Sequence, residues 1–283
     1  MAEMKAPPMR QGMRRYVLID RGQDMEIPEE LLWRTVAPPW LAEVQSQLPI
    51  LLDMEALGAQ PQDVLRIWTE QAHHSEAGCG ITLLDTAASA DALVEHLCNS
   101  MLWDGHEGRR HLLRYFDARV MAQLEWLLHG AAWTRLLGPV HEWHLFLDGG
   151  WHCIAAEAGQ VFVPTPSGMD TATALTWLDV ITPAITTASP KDVKHRQRMA
   201  QRAFALLWTA QKRFSLRERK DLALFAEHGL SLHPEFHDHP LVRRPLEQLH
   251  GSDMSYRALM AHLDTDTLQR IRADLIHLRG EPQ

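Results

Sequence analysis

The stretch Leu112 to Val120, LLRYFDARV, constrains the fold of this 283-residue chain more than any other. Its first half alternates: Leu112, Arg114 and Phe116 leave one face while Leu113 and Tyr115 leave the other, the period of a strand. Its second half changes period. Val120, Met121, Leu124, Leu127 and Leu128 recur at helical spacing and make one apolar face. Asp117 sits at the junction, where its carboxylate can accept from the free N–H groups of the first helical turn. The expectation is a strand that turns directly into an amphipathic helix. Arg114 is a charge in an otherwise apolar strand. Breaking a buried pair there would cost on the order of 3–5 kcal/mol, and Asp117 and Asp20 are its candidate partners by pattern.

The elements before this stretch alternate in type. Tyr16 to Asp20 reads as a short buried strand, Pro49 to Asp53 as a second and Cys79 to Leu84 as a third. Pro28 to Thr35 suggests one or two helical turns. Ala37 to Leu41, APPWL, reads as a stiff extended segment that anchors Trp40 in the core, because neither proline can donate to a ladder. Pro61 to His73 is helical, and Ser89 caps a helix carrying Leu93, Leu97 and Met101. Asp104 to Gly108 reads as a turn. After the central helix, Gly138 lies past a helix end. His141 to Leu147 and Trp151 to Glu157 flank Asp148-Gly149-Gly150, a hairpin signal, and Val161 to Val163 adds an edge strand. Strands and helices in this order predict an α/β lobe with a mixed sheet.

From Thr165 the signals change. Pro164, Pro166, Ser167 and Gly168 form a linker-like cluster, and only helix signals follow. Pro190 after Ser189 suits a first turn, and Lys191 to Phe214 reads as a long charged helix. Ser215 and Glu218 fit a capping box for a helix ending at Gly229. Pro240 and Pro245 break the next segment; Tyr256 to Leu263 and Thr265 to Leu278 make two more helices, the last capped by Asp264. The predicted organisation is a tail over residues 1–15, an α/β lobe over 16–168 and an all-α lobe over 169–283.

Composition narrows the function classes. With 36 acidic against 28 basic residues the net charge is -8, which disfavours nucleic acid and anionic membrane as partners. The three cysteines, Cys79, Cys98 and Cys153, are too few and scattered for a disulfide framework or a zinc site, and they fit a reducing compartment. No signal-peptide pattern and no apolar run of about 20 residues occurs, so a cytoplasmic location is expected.

Arg114, Tyr115, Phe116, Asp117, Ala118 and Arg119 resemble the centre of the DUF4123 domain, which usually reads Arg-Phe-Tyr-Asp-Pro-Arg here. The aromatics are swapped and Ala118 replaces the proline, itself a good residue for a first helical turn. YVLID with Asp20, APPWL with Trp40, Gly80 to Leu84 with Glu95-His96-Leu97, and Leu136 to Trp143 resemble the family's other segments in the same order, over about residues 16–147. The resemblance implies a non-enzymatic adaptor chaperone of the bacterial type VI secretion system. Such a protein binds a cognate effector toxin in the cytoplasm and loads it onto the VgrG spike, without a cofactor.

The residues alone yield no competing catalytic motif: no nucleophile elbow, phosphate loop, dinucleotide fingerprint or His-Glu-x-x-His. Of the 17 histidines, His233, His237 and His239 with Glu235 and Asp238 have ligand-like spacing, but Pro234 and Pro240 place them in a loop. His141, His144 and His152 approach one another across the hairpin, where polar positions on a partly exposed sheet face explain them. No metal, cofactor or catalytic residue is therefore expected. A small metal-dependent hydrolase using a histidine cluster and an immunity-type inhibitor stand as the alternatives. Arg114 and Asp117 are expected to act through the fold.

Overall fold

A computed structural model describes residues 5–21, 27, 31–57, 61–74, 81–104, 110–156, 170–249 and 254–279. The chain divides into two compact units, Met1–Val163 and Pro164–Gln283. The predicted linker cluster and the edge strand at Val161 to Val163 lie outside the described residues, as does the turn from Gly105 to Gly108.

The first unit is built on β1 (Arg14–Ile19), β2 (Trp33–Thr35), β3 (Ile50–Asp53), β4 (Ile81–Thr86), β7 (Val140–Leu147) and β8 (Gly150–Ala155), in the order β2-β3-β1-β4-β7-β8. A separate ribbon pairs β5 (Leu102–Asp104) with β6 (Arg110–Leu112). The helices are α1 (Pro61–His74), α2 (Ala90–Ser100), α3 (Ala118–Leu127) and α4 (Gly130–Leu137). Tyr16 to Ile19 and all of β4 are buried, so the central strands are covered on both faces. Val17, Ile19, Leu52, Ile81, Leu83 and Phe146 face Leu65 and Trp68 of α1. Tyr16, Leu84 and Trp143 belong to the opposite face by alternation, and Tyr115 packs edge-on to Trp143 there.

The lobe combines sheet and helices as expected, but every pairing in the six-stranded sheet is antiparallel, not mixed. The crossover through α1 explains the difference. It joins β3 to β4, which run parallel to each other yet flank β1 and never pair. A strand–helix–strand alternation reads the same whether the parallel strands are neighbours or one apart.

Three local expectations change near the sheet edge. Trp33–Thr35 is a strand paired to β3, not the end of a helical turn. Pro38 is extended, but Pro39 opens a run of 3-10 turns over Pro39–Gln47. Trp40 therefore lies on that run, half exposed, and is no core anchor. The hairpin forms as expected: Leu147 pairs with Gly150 across Asp148 and Gly149. Both loop residues have positive φ, 52° and 76°, which twists the turn to match the strands.

The second unit is helical throughout its described residues: α5 (Thr171–Thr187), α6 (Val193–Phe214), α7 (Arg219–Ser231), α8 (Pro240–Gln248), α9 (Tyr256–Met260) and α10 (Thr265–Arg279). Its interior is aromatic: Trp177 stacks on Phe204, and Phe225 meets Phe214, Phe236 and Tyr256. Asp221 of α7 accepts from the N–H groups of Tyr256 and Arg257, so α7 satisfies the start of α9. The capping box at Ser215 does not form. Ser215 instead ends α6 in a left-handed conformation, and Glu218 precedes α7 without a side-chain cap. The helix α6 starts at Val193, after Pro190 and Lys191, and Asp192 caps it through the N–H of His195. Pro240 begins α8 and does not break it; Pro245 is accommodated inside.

Candidate functional site

The central stretch folds differently from a strand running into a helix. The strand β6 stops at Leu112 and belongs to the ribbon, not the main sheet. Leu113 still donates its N–H to Met101 O, and a turn then closes from Arg114 O to the Asp117 N–H. The turn lets two consecutive aromatics pack against each other, where a strand would send them to opposite faces. Tyr115 and Phe116 are both buried, with ring centroids 5.7 Å apart. The Tyr115 hydroxyl donates to Leu97 O at 2.6 Å, and burial pushes its pKa well above the ordinary value. The phenol therefore stays a neutral donor that ties the turn to α2.

Asp117 is the N-cap of α3 as expected, accepting from the Arg119 N–H at 2.9 Å. The same carboxylate takes the Arg119 Nε at 2.9 Å and Nη2 at 2.8 Å, a two-pronged pair. Arg114 reaches Asp20 at 3.3 Å and Asp117 at 3.9 Å, so both candidate partners are used. Its guanidinium also lies 5.7 Å from the Phe116 ring centroid. The surprise is exposure. The Arg114 side chain is 45% exposed while Asp20 is fully buried, so Arg114 closes over a buried acid from the solvent side. Asp20, Arg114, Asp117 and Arg119 thus form one charged node over buried aromatics. Each charge in it has an opposite partner.

The node stands apart from Trp40. Trp40, Leu32, Trp33 and Val44 are all exposed large apolar side chains on β2 and the segments beside it, at the outer edge of the sheet. An edge strand with exposed aromatics is a surface able to take a partner chain.

Among the described residues, neither predicted histidine cluster gathers as a whole. His237 packs edge-on to Phe214 and Phe236, and burial lowers its pKa. His239 caps α8 through the Leu241 N–H and lies 3.3 Å from Asp274, and His233 accepts from the Glu235 N–H. Across the hairpin, register puts His144 on the face opposite to His141 and His152. His152 opposes Leu145 and meets Glu125 of α3 at 2.8 Å, whereas His144 points to the other face.

That other face carries a cluster missed in the sequence. Asp85 of β4 is fully buried and takes Arg15 of β1 through two contacts of 2.6 Å. His144 Nε2 lies 3.4 Å from Asp85 and 3.3 Å from Glu142. Burial works to raise the Asp85 pKa, but hydrogen bonds from Arg15 and His144 hold it below the ordinary carboxylate value. The available signal was an acid, Asp85, ending the apolar run ITLL; the partner strands could not be read from it.

Among the described residues no helix is long and apolar enough to cross a membrane. Residues 16–135 match the family model described as Domain of unknown function (DUF4123). No curated protein and no solved structure matches the chain.

Proposed function

Starting from the DUF4123 domain that this chain carries over residues 16–135, we propose that it is a type VI secretion adaptor chaperone. It binds a cognate effector toxin in the bacterial cytoplasm and delivers it to the VgrG spike. It does so without catalysis of its own. The family match is the observation that carries this reading, and two features support it. The charged node is internally paired, as suits a scaffold, and the sheet edge at Trp33 and Trp40 offers apolar surface to a protein partner. Binding is assigned to protein surfaces, with no nucleic acid and no membrane involved.

The test is secretion from a strain whose apparatus is active. Deleting the gene should abolish export of the neighbouring effector while export of the tube protein continues, and expression in trans should restore it. Undiminished effector export would overturn the proposal. Loss of self-protection with normal export would favour the immunity-type inhibitor instead.

A further inference from the structure

We propose that Glu142, His144 and Cys153 form a binding site for one borderline-soft divalent metal ion, with zinc as the best fit. Register creates the site. His144 of β7 stands directly opposite Cys153 of β8, and Glu142 lies two residues along on the same face. One ligand atom from each falls within 4.8 Å of the other two. Tetrahedral zinc, with bonds of about 2.0–2.3 Å, separates its ligand atoms by roughly 3.3–3.8 Å. His144 Nε2 and Glu142 Oε2, 3.3 Å apart, already span such an edge. Small side-chain rotations bring in the sulfur.

The donor set also fits. An imidazole, a thiolate and a carboxylate suit zinc better than calcium or magnesium, which take oxygen ligands alone. His144 presents Nε2 to the cluster, 3.3 Å from Glu142 and 3.4 Å from Asp85. Asp85 stands beside the same nitrogen, but both its oxygens are taken by Arg15. It supplies negative charge next to the ion and not a bond. Cys153 is exposed, which gives the ion a way in. The metal takes the thiolate, so the thiol proton is displaced to solvent as the metal–sulfur bond forms. Affinity should fall as pH falls.

The experiment uses the full chain without an affinity tag, stripped with a chelator and titrated with Co²⁺. Equimolar binding with a thiolate-to-cobalt charge-transfer band is expected, and Zn²⁺ should displace it. Cys153→Ser should lose the band and bind Zn²⁺ at least ~10-fold more weakly, the smallest loss usual even for residues behind the ligands. Cys98→Ser and His237→Ala should behave as wild type. Absence of the band in folded wild-type protein, or its persistence in Cys153→Ser, would overturn the proposal. Alkylation followed by peptide mass gives a second readout that needs no variant. Zn²⁺ should protect Cys153, and undiminished labelling of Cys153 in zinc would equally overturn it.

Discussion

Replacing Asp117 with alanine should destabilise the first unit more than replacing Arg114, the reverse of the order the sequence suggests. The magnitude follows from what each side chain holds. Asp117 is almost fully buried, caps α3 and takes Arg119 through two short contacts. Losing the cap costs about 1 kcal/mol, and losing the charged hydrogen bonds about 1.5–3 kcal/mol more. The sum is about 2–4 kcal/mol. Arg114 is 45% exposed and meets Asp20 at 3.3 Å, and Asp20 has interactions besides this one. Solvent-screened pairs of this kind contribute roughly 0–1 kcal/mol. Leaving a buried carboxylate with one contact fewer adds to that, so Arg114→Ala should cost about 1–2 kcal/mol. Asp117→Asn keeps the cap and loses only the charge, and should fall between wild type and Asp117→Ala. Urea unfolding followed by tryptophan fluorescence and far-ultraviolet circular dichroism, fitted for two units, measures all three. An Arg114→Ala loss larger than that of Asp117→Ala would refute the reasoning, as would an Asp117→Ala protein as stable as wild type.

Two further outcomes can be checked on the same preparations. Trp40→Ala should change stability by no more than about 0.5 kcal/mol because the side chain is half exposed, whereas Trp68→Ala, removing a buried ring beneath the sheet, should cost about 3–5 kcal/mol in the same urea titration. Burial lowers the His228 pKa from 6.5 to about 4, so the folded state favours the neutral ring that accepts from the Tyr256 hydroxyl. Its stabilisation is then complete above pH 6.5 and is lost as pH falls toward 4, by on the order of 3 kcal/mol in all; His228→Gln should flatten that part of the stability–pH curve, and an unchanged curve would contradict the assignment.

The elements that could be read from the sequence are those whose determinants are local. Ser89, Asp117 and Asp264 were visible as caps because a cap needs only the next three residues. The strand at Tyr16 and the hairpin at Asp148-Gly149 were visible from apolar runs and turn chemistry. What failed depended on partners distant in the chain. Leu113 to Phe116 alternates like a strand, yet it joins no strand of the main sheet: Leu113 bonds to Met101 and a turn closes from Arg114 to Asp117. Trp40 looked like an anchor because tryptophan usually is one, and only the position of its 3-10 run at the sheet edge exposes it. The capping box at Ser215 failed because that residue is needed to end the preceding helix. Among the candidate residues, the link from Arg114 to Asp20 and Asp117 was legible from charge pattern. The cluster of Asp85, Glu142, His144 and Cys153 was not, because it exists only through the register of β4, β7 and β8.

The most direct test is the equilibrium affinity of the full chain for its neighbouring effector, measured by isothermal titration for wild type and for Arg114→Ala under conditions where both are folded. An adaptor whose charged node acts through the fold should bind the effector in a defined stoichiometry, and the variant should bind it equally well. No complex with wild-type protein would contradict the adaptor function. A variant that melts like wild type and no longer binds would instead make the node the contact surface.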